Sequence, residues 1–131
     1  KIKFACSGMD HELDFSFSGI KTAVLYYLKG KKSSFKLNQD LAASFQESAL
    51  NVLVKKSLLA CKQKKVRHLL VGGGVAANMV LRQKLISRAK EANIDCFFPE
   101  INLCLDNAAM VAGFGGCLYK RGARSDLYLN M

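Results

Sequence analysis

The sequence predicts a helix-rich α/β domain with a short parallel βαβ core. Three observations carry that prediction. Residues 66–82 read VRHLLVGGGVAANMVLR: an apolar run, three glycines, then a helix-patterned segment opening with Val75. Residues 94–98 form a second short apolar run, stopped by Pro99. Elsewhere, apolar residues recur mostly at helical spacing. A strand, a glycine turn, a helix and a strand make a βαβ unit, whose strands should be parallel with a right-handed crossover.

Taken in order, residues 1–17 alternate Ile2, Phe4 and Phe15, Phe17 with polar neighbours, as half-buried strands do. Between them residues 8–12 read as a turn. His11-Glu12 lacks the second histidine of an HExxH motif, because position 15 is Phe15. Ser18 suits the N-cap of a helix with Ile20, Val24, Leu25 and Leu28 on its apolar face. Gly30 ends it, with Lys29, Lys31 and Lys32 where the dipole favours positive charge. Asn38 or Asp40 caps a long helix, apolar at Leu41, Phe45, Ala49, Val52, Leu53, Leu58 and Leu59, to about Gln63. Its end is basic: Lys55, Lys56, Lys62, Lys64, Lys65, then Arg67, a candidate surface for nucleic-acid phosphates, with a solvated helix end as the plain alternative.

The helix after the glycines runs to about Ala92, with Val80, Leu81, Leu85, Ile86 and Ala89 facing inward and Asn93 closing it. Asp106-Asn107 opens a last helix, apolar at Ala108, Ala109, Val111, Ala112, Leu118 and Tyr119. Gly113, Gly115 and Gly116 each cost about 1 kcal/mol inside a helix relative to Ala. Their expected use is close approach to another helix or a ligand. Lys120, Arg121 and Gly122 form its stop, and residues 126–131 are too short to assign.

The chain of 131 residues is one domain's worth, enough to bury about two-thirds of its unfolded surface. Lys and Arg outnumber Asp and Glu by 20 to 10, a formal charge of +10, which points to an anionic partner. A solvated basic surface is the plain alternative. Five cysteines without CxxC spacing read as reduced core residues of a cytoplasmic protein, not a disulfide framework or zinc site. No apolar run approaches the roughly 18 residues of a spanning helix, so no membrane partner is expected. The start at Lys1 without Met is expected of a piece cut from a longer protein.

Two segments place polar groups at the C-terminal ends of the parallel strands, the edge where open α/β sheets bind ligands: 72–78 and 102–107. Glycines there let a ligand approach the backbone, and a helix N-terminus attracts phosphate. A tight turn with no ligand would use the same glycines. Asn78, on the first turn of its helix, can donate to and accept from a ligand. Asp106 either caps N–H groups or binds a metal. Gly72-x-Gly74-x-x-Ala77 also fits a dinucleotide fingerprint, with Glu100 as ribose-binding acid, although that acid comes late and too few residues remain for the full fold.

Three segments together resemble the C-terminal part of the bacterial TsaD family, the tRNA threonylcarbamoyladenosine transferases once described as O-sialoglycoprotein endopeptidases. They are DFSFSGIKT at 14–22, VGGGVAANMVLR at 71–82 and CLDNAAMVA at 104–112. The resemblance implies a partial actin-like ATPase (ribonuclease H-like) fold, with residues 1–131 as the C-terminal lobe of a two-lobe enzyme. It implies transfer of threonylcarbamoyl from threonylcarbamoyl-AMP to the adenosine next to the anticodon of tRNAs reading ANN codons. Asn78 would contact the adenylate, Gly73 and Gly74 would line its phosphate, and Asp106 would be a metal ligand. The implied cofactor is one divalent ion, iron or zinc.

The family's two metal-binding histidines form an HxxxH motif that neither His11 nor His68 supplies, so those ligands would lie outside this chain. The chain alone is then expected to be inactive. Implied partners are tRNA, a paralogous actin-like subunit and a small P-loop ATPase, with a homodimer through exposed interlobe surface also expected. Of a different class are a non-catalytic module binding nucleotide, tRNA or a partner, and a dinucleotide-binding oxidoreductase piece.

Overall fold

A computed structural model describes residues 2–4 and 11–125. Cys6, residues 8–10 of the expected turn, and residues 126–131 lie outside them. The elements are α1 (Phe17–Leu28), α2 (Phe35–Lys64), β1 (His68–Leu70), α3 (Met79–Glu91), β2 (Asp95–Phe97) and α4 (Ala108–Lys120), with 3-10 turns at Gly74–Ala77 and Ile101–Leu103.

The two strands pair in parallel, His68 opposite Asp95, Leu69 opposite Cys96 and Leu70 opposite Phe97. The helix-rich α/β class and the parallel βαβ core are therefore present. Helix α3 packs on both α2 and the sheet. Leu81 and Leu85 join Leu50 and Val54 of α2 in one buried cluster, roofed by Leu69, Val71 and Phe98. Cys61, Ala89 and Ile94 make a second cluster at the far end of the helix pair.

Thirty residues of α2 make a rod about 45 Å long, so it can serve two partners. Its N-terminal half carries α1: Ile20, fully buried, packs with Ala49, Phe4, Val24 and Phe45. Residues 2–4 are not a strand. The alternation of Ile2 and Phe4 has another cause: both apolar side chains dock on α2, while the Ile2 and Phe4 amides donate to Ser44 Oγ and Ser48 Oγ, each at 3.3 Å.

Several sequence expectations move. Phe17 starts α1 instead of ending a strand, and Ser16, not Ser18, is its N-cap, accepting from the Gly19 amide at 3.4 Å. Leu25 is 69% exposed, and Tyr27 takes its expected place against the core. Helix α2 begins earlier than Asn38: Ser34 caps it, accepting from the Leu37 amide at 3.2 Å. Val80 and Ile86 are exposed, leaving Leu81, Leu85 and Ala89 as the inward stripe of α3. Asn93 sits just past the α3 C-cap Ala92, at φ +55, a left-handed position that asparagine tolerates.

The largest departure is α4. It forms where expected, with Asn107 as N-cap, but buries none of its residues. It packs on no other element among the described residues. Val111, Phe114 and Tyr119 are each about two-thirds exposed. Nothing lies near its three glycines, so the close approach expected of them is not made within the described residues. Among the described residues, no helix is long and apolar enough to cross a membrane.

Candidate functional site

The candidate residues lie beyond the C-terminal ends of β1 and β2. After Val71, whose amide donates to the Phe97 carbonyl at 2.9 Å, the chain leaves the sheet and turns. Gly73 takes φ +88 and ψ 169, a region that essentially only glycine occupies. Gly74 serves a different need: a Cβ there would sit 3.1 Å from Leu105 Cδ2. The glycine turn therefore lies against the loop that carries Asp106. Both glycines have a reason in the fold itself, before any ligand is considered.

The glycine turn does not feed α3 directly, as the sequence pattern suggested. A 3-10 turn, Gly74–Ala77, intervenes, and α3 starts at Met79. Asn78 is the N-cap, just outside the first turn. Its Oδ1 accepts from the Leu81 amide at 3.1 Å, and its backbone amide donates to the Val75 carbonyl at 3.0 Å. One of the helix's bare N–H groups is thus already satisfied, and the side-chain oxygen of Asn78 is occupied. What Asn78 still offers a ligand is its Nδ2 donor.

Asp106 is exposed and is not the cap of α4. Asn107 is, its Oδ1 accepting from the Met110 amide at 2.9 Å. This removes the capping explanation for Asp106. His68 opens β1, at the other end of the sheet, 3.9 Å from Asp95. His11 lies in the loop whose Glu12 side chain accepts from Gln63 of α2. Neither histidine joins Asp106, and among the described residues no group of three or more His, Cys, Asp or Glu could hold a metal ion. These residues alone do not fit a catalytic metal, which usually keeps at least three protein ligands.

Arg82 organises the region, and residue-by-residue reading of the sequence did not single it out. Its Nε donates to the Ala76 carbonyl at 2.6 Å, and its Nη2 to the Pro99 carbonyl at 2.6 Å. Nη2 also lies 3.1 Å from Cys104 Sγ, and the guanidinium carbon sits 4.9 Å from the Phe98 ring centroid. One planar fork thus ties the glycine turn, the end of β2 and the Asp106 loop to the first turns of α3. The available signal was its place at the end of the 71–82 segment.

Open grooves lie elsewhere. One of about 680 Å³ runs between α2 and α3, where Lys84 pairs with Glu47 at 2.9 Å. Another, of about 510 Å³, lies between the C-terminal ends of α2 and α3.

The family model for TsaD, tRNA N6-adenosine threonylcarbamoyltransferase, matches residues 1–113. Curated relatives carry that same description. The protein of Protochlamydia amoebophila is 52% identical over 121 residues, covering 87% of this chain and 35% of its own length. That of Geobacillus thermodenitrificans is 49% identical over 120 residues, covering 89% and 35%. One from Clostridium botulinum is 44% identical over 132 residues, covering 98% and 39%. The chain thus spans little more than a third of the length of these relatives.

Proposed function

The chain belongs to the TsaD family of tRNA N6-adenosine threonylcarbamoyltransferases, and from that premise we propose that it supplies the C-terminal, adenylate-holding lobe of such an enzyme. The observation that carries the reading is the closeness of Leu105 to Gly74, where a Cβ would sit 3.1 Å from Leu105 Cδ2, which brings the two family segments together at the strand ends. The lobe has an actin-like fold completed by residues outside this chain. The bare apolar face of α4 supports this, since it has the character of a surface made to be covered.

In the proposed reaction, the N6 amine of the adenosine next to the anticodon attacks the carbamoyl carbon of threonylcarbamoyl-AMP. The bond from that carbon to the phosphate oxygen breaks, AMP leaves with the electron pair, and the N6 nitrogen releases one proton to solvent. This lobe's part is to bind and orient. Backbone N–H groups of the turn at Gly73 and Gly74 face the phosphate, and Asn78 Nδ2 donates to the adenylate. Asp106 would offer one carboxylate to a divalent ion, iron or zinc, whose other ligands would lie outside this chain. Such an ion supplies Lewis-acid polarisation and a template for oxygen ligands. The isolated chain, with half a site, is inactive.

The test is a pair of substitutions at Asn78 in the full-length protein, read by calorimetric binding of a non-reactive threonylcarbamoyl-adenylate analogue. Asn78→Ser keeps a capping oxygen but lacks the amide donor. It should hold the fold and weaken binding by roughly tenfold or more, the worth of about one hydrogen bond in a desolvated site. Asn78→Ala should lose the same affinity and also about 1 kcal/mol of stability. Unchanged affinity in Asn78→Ser would remove Asn78 from the site. Independently, Asp106→Ala should lower the metal content of the purified protein, and unchanged content would remove Asp106 from the ligand set.

A further inference from the structure

We propose that the groove between the C-terminal ends of α2 and α3 holds the phosphate backbone of an RNA substrate, at a point remote from the reacting adenosine. The proposal rests on the tRNA-modifying reading above and adds a contact surface to it.

The structure sorts the basic residues by what they already do. Lys56 donates to the carbonyls of Glu12 and Asp14. Lys84 pairs with Glu47, Arg88 with Glu91, and Arg82 holds the two loops. Lys31 sits over the Tyr27 ring. Lys62, Lys64, Lys65 and Arg67 are exposed, and their side chains make no ion pair or hydrogen bond among the described residues, which is also true of scattered lysines such as Lys29, Lys32 and Lys36; what sets Lys62, Lys65 and Arg67 apart is that they share one groove. Lys62, Lys65 and Arg67 line the groove of about 510 Å³ with Asn93 and Ile94, and among the described residues no acidic one lines it.

Helix-dipole pairing does not account for this set. Two helix C-termini contribute about half a negative charge each. Three lining cations leave the groove positive. Lys65 also occupies the left-handed C-cap of α2, at φ +53, where glycine is the unstrained choice. A lysine there keeps a charge at the groove mouth at a conformational cost.

Position decides the size of the ligand. Arg67 precedes β1, whereas Gly73 follows it. Strand His68–Leu70 and its flanks separate the two, a span of at most roughly 20 Å. The groove and the turn thus lie at opposite ends of β1, and an RNA stem can cover both. Unpaired lysines and an arginine around an open groove suit the sequence-independent neutralisation of phosphates.

The test uses the full-length protein and an unmodified transcript of a tRNA that reads an ANN codon. Binding is followed by fluorescence anisotropy across a salt series. The triple variant Lys62→Gln, Lys65→Gln, Arg67→Gln should bind the transcript on the order of a hundredfold more weakly near 0.1 M salt. Its plot of log affinity against log salt should be flatter by about 2–3, near one for each lost phosphate contact. Its affinity for the adenylate analogue should be unchanged.

Lys65→Gly separates charge from folding: it should raise thermal stability while flattening the salt plot by about one. A charge-matched control, Lys29→Gln, Lys32→Gln, Lys36→Gln, should change affinity less than about threefold if the groove, and not net charge, binds the RNA. Wild-type affinity and slope in the triple variant, or an equal loss in the control, would overturn the groove assignment and leave the tRNA reading intact. Failure of the wild-type protein to bind the transcript would overturn both.

Discussion

Replacing Arg82 by methionine should loosen the two loops of the candidate site while leaving the sheet and the α2–α3 core in place. The side chain makes two short bonds to carbonyls, Ala76 and Pro99, each at 2.6 Å. A hydrogen bond to a charged group contributes about 1.5–3 kcal/mol. Arg82 is half-buried, so water recovers part of that, and the pair together should contribute about 2–4 kcal/mol to holding the loops closed.

The assay is amide hydrogen exchange in the full-length protein. Reporters are the Ala76 and Asn78 amides, which donate to Gly73 and Val75, and the Leu103 amide, which donates to Glu100. Their protection should fall by roughly thirty- to several-hundredfold, since about 1.4 kcal/mol is a factor of ten. The Val71 amide, bonded to Phe97 in the sheet, should keep its protection. Affinity for the adenylate analogue should fall in parallel. Arg82→Lys keeps the charge but loses the planar fork, and should lie between. Arg88→Met, which breaks only an exposed pair with Glu91, should change protection by less than about threefold. Unaltered exchange at Ala76, Asn78 and Leu103 in Arg82→Met would refute the clamp. So would an equal loss at Val71, which would make the effect global.

Two further outcomes follow from the same geometry. Gly73→Ala should destabilise the turn by about 1–3 kcal/mol because of its positive φ. Gly74→Ala should cost under about 1 kcal/mol, because the atom it meets ends the exposed Leu105 side chain, which has room to turn aside. Denaturant titration of both variants checks the order. Cys96 is held above the ordinary thiol value of 9.0 by burial first, then by Cys61 and Asp95. The folded state therefore keeps its proton after the unfolded chain has lost it. Stability from this group is full below pH 9.0 and declines as pH rises through the raised folded value. Cys96→Ala should flatten that alkaline decline, and an unchanged pH profile would exclude Cys96 as its source.

Much of the local structure was legible because it depends on near neighbours in sequence. The glycine run, the apolar run before it and the proline after residue 98 marked the βαβ unit. Caps were legible in kind but shifted in place: Ser16 and Ser34 act where Ser18 and Asn38 or Asp40 were expected. Several serines, asparagines and aspartates near a helix start can all accept an amide hydrogen bond, and only the backbone path selects one. Strand alternation misled at Ile2 and Phe4, because an extended segment docked across a helix shows the same period of two.

The sequence by itself determined the class of fold and the family, since periodicity, glycines and three ordered segments are properties of the chain as written. It also marked Gly73, Gly74, Asn78 and Asp106 as candidate site residues. Tertiary structure decided what local contacts each of them makes. Asn78 turned out to be a cap with one donor to spare, and Asp106 a carboxylate freed from capping by Asn107. Arg82 became the clamp because its acceptors, Ala76 and Pro99, lie six and seventeen residues away. The basic end of α2 was legible in the sequence, but only the fold gathered Lys62, Lys65 and Arg67 into one groove. Which lysines find a partner depends on distances across the fold, and no local pattern encodes those distances.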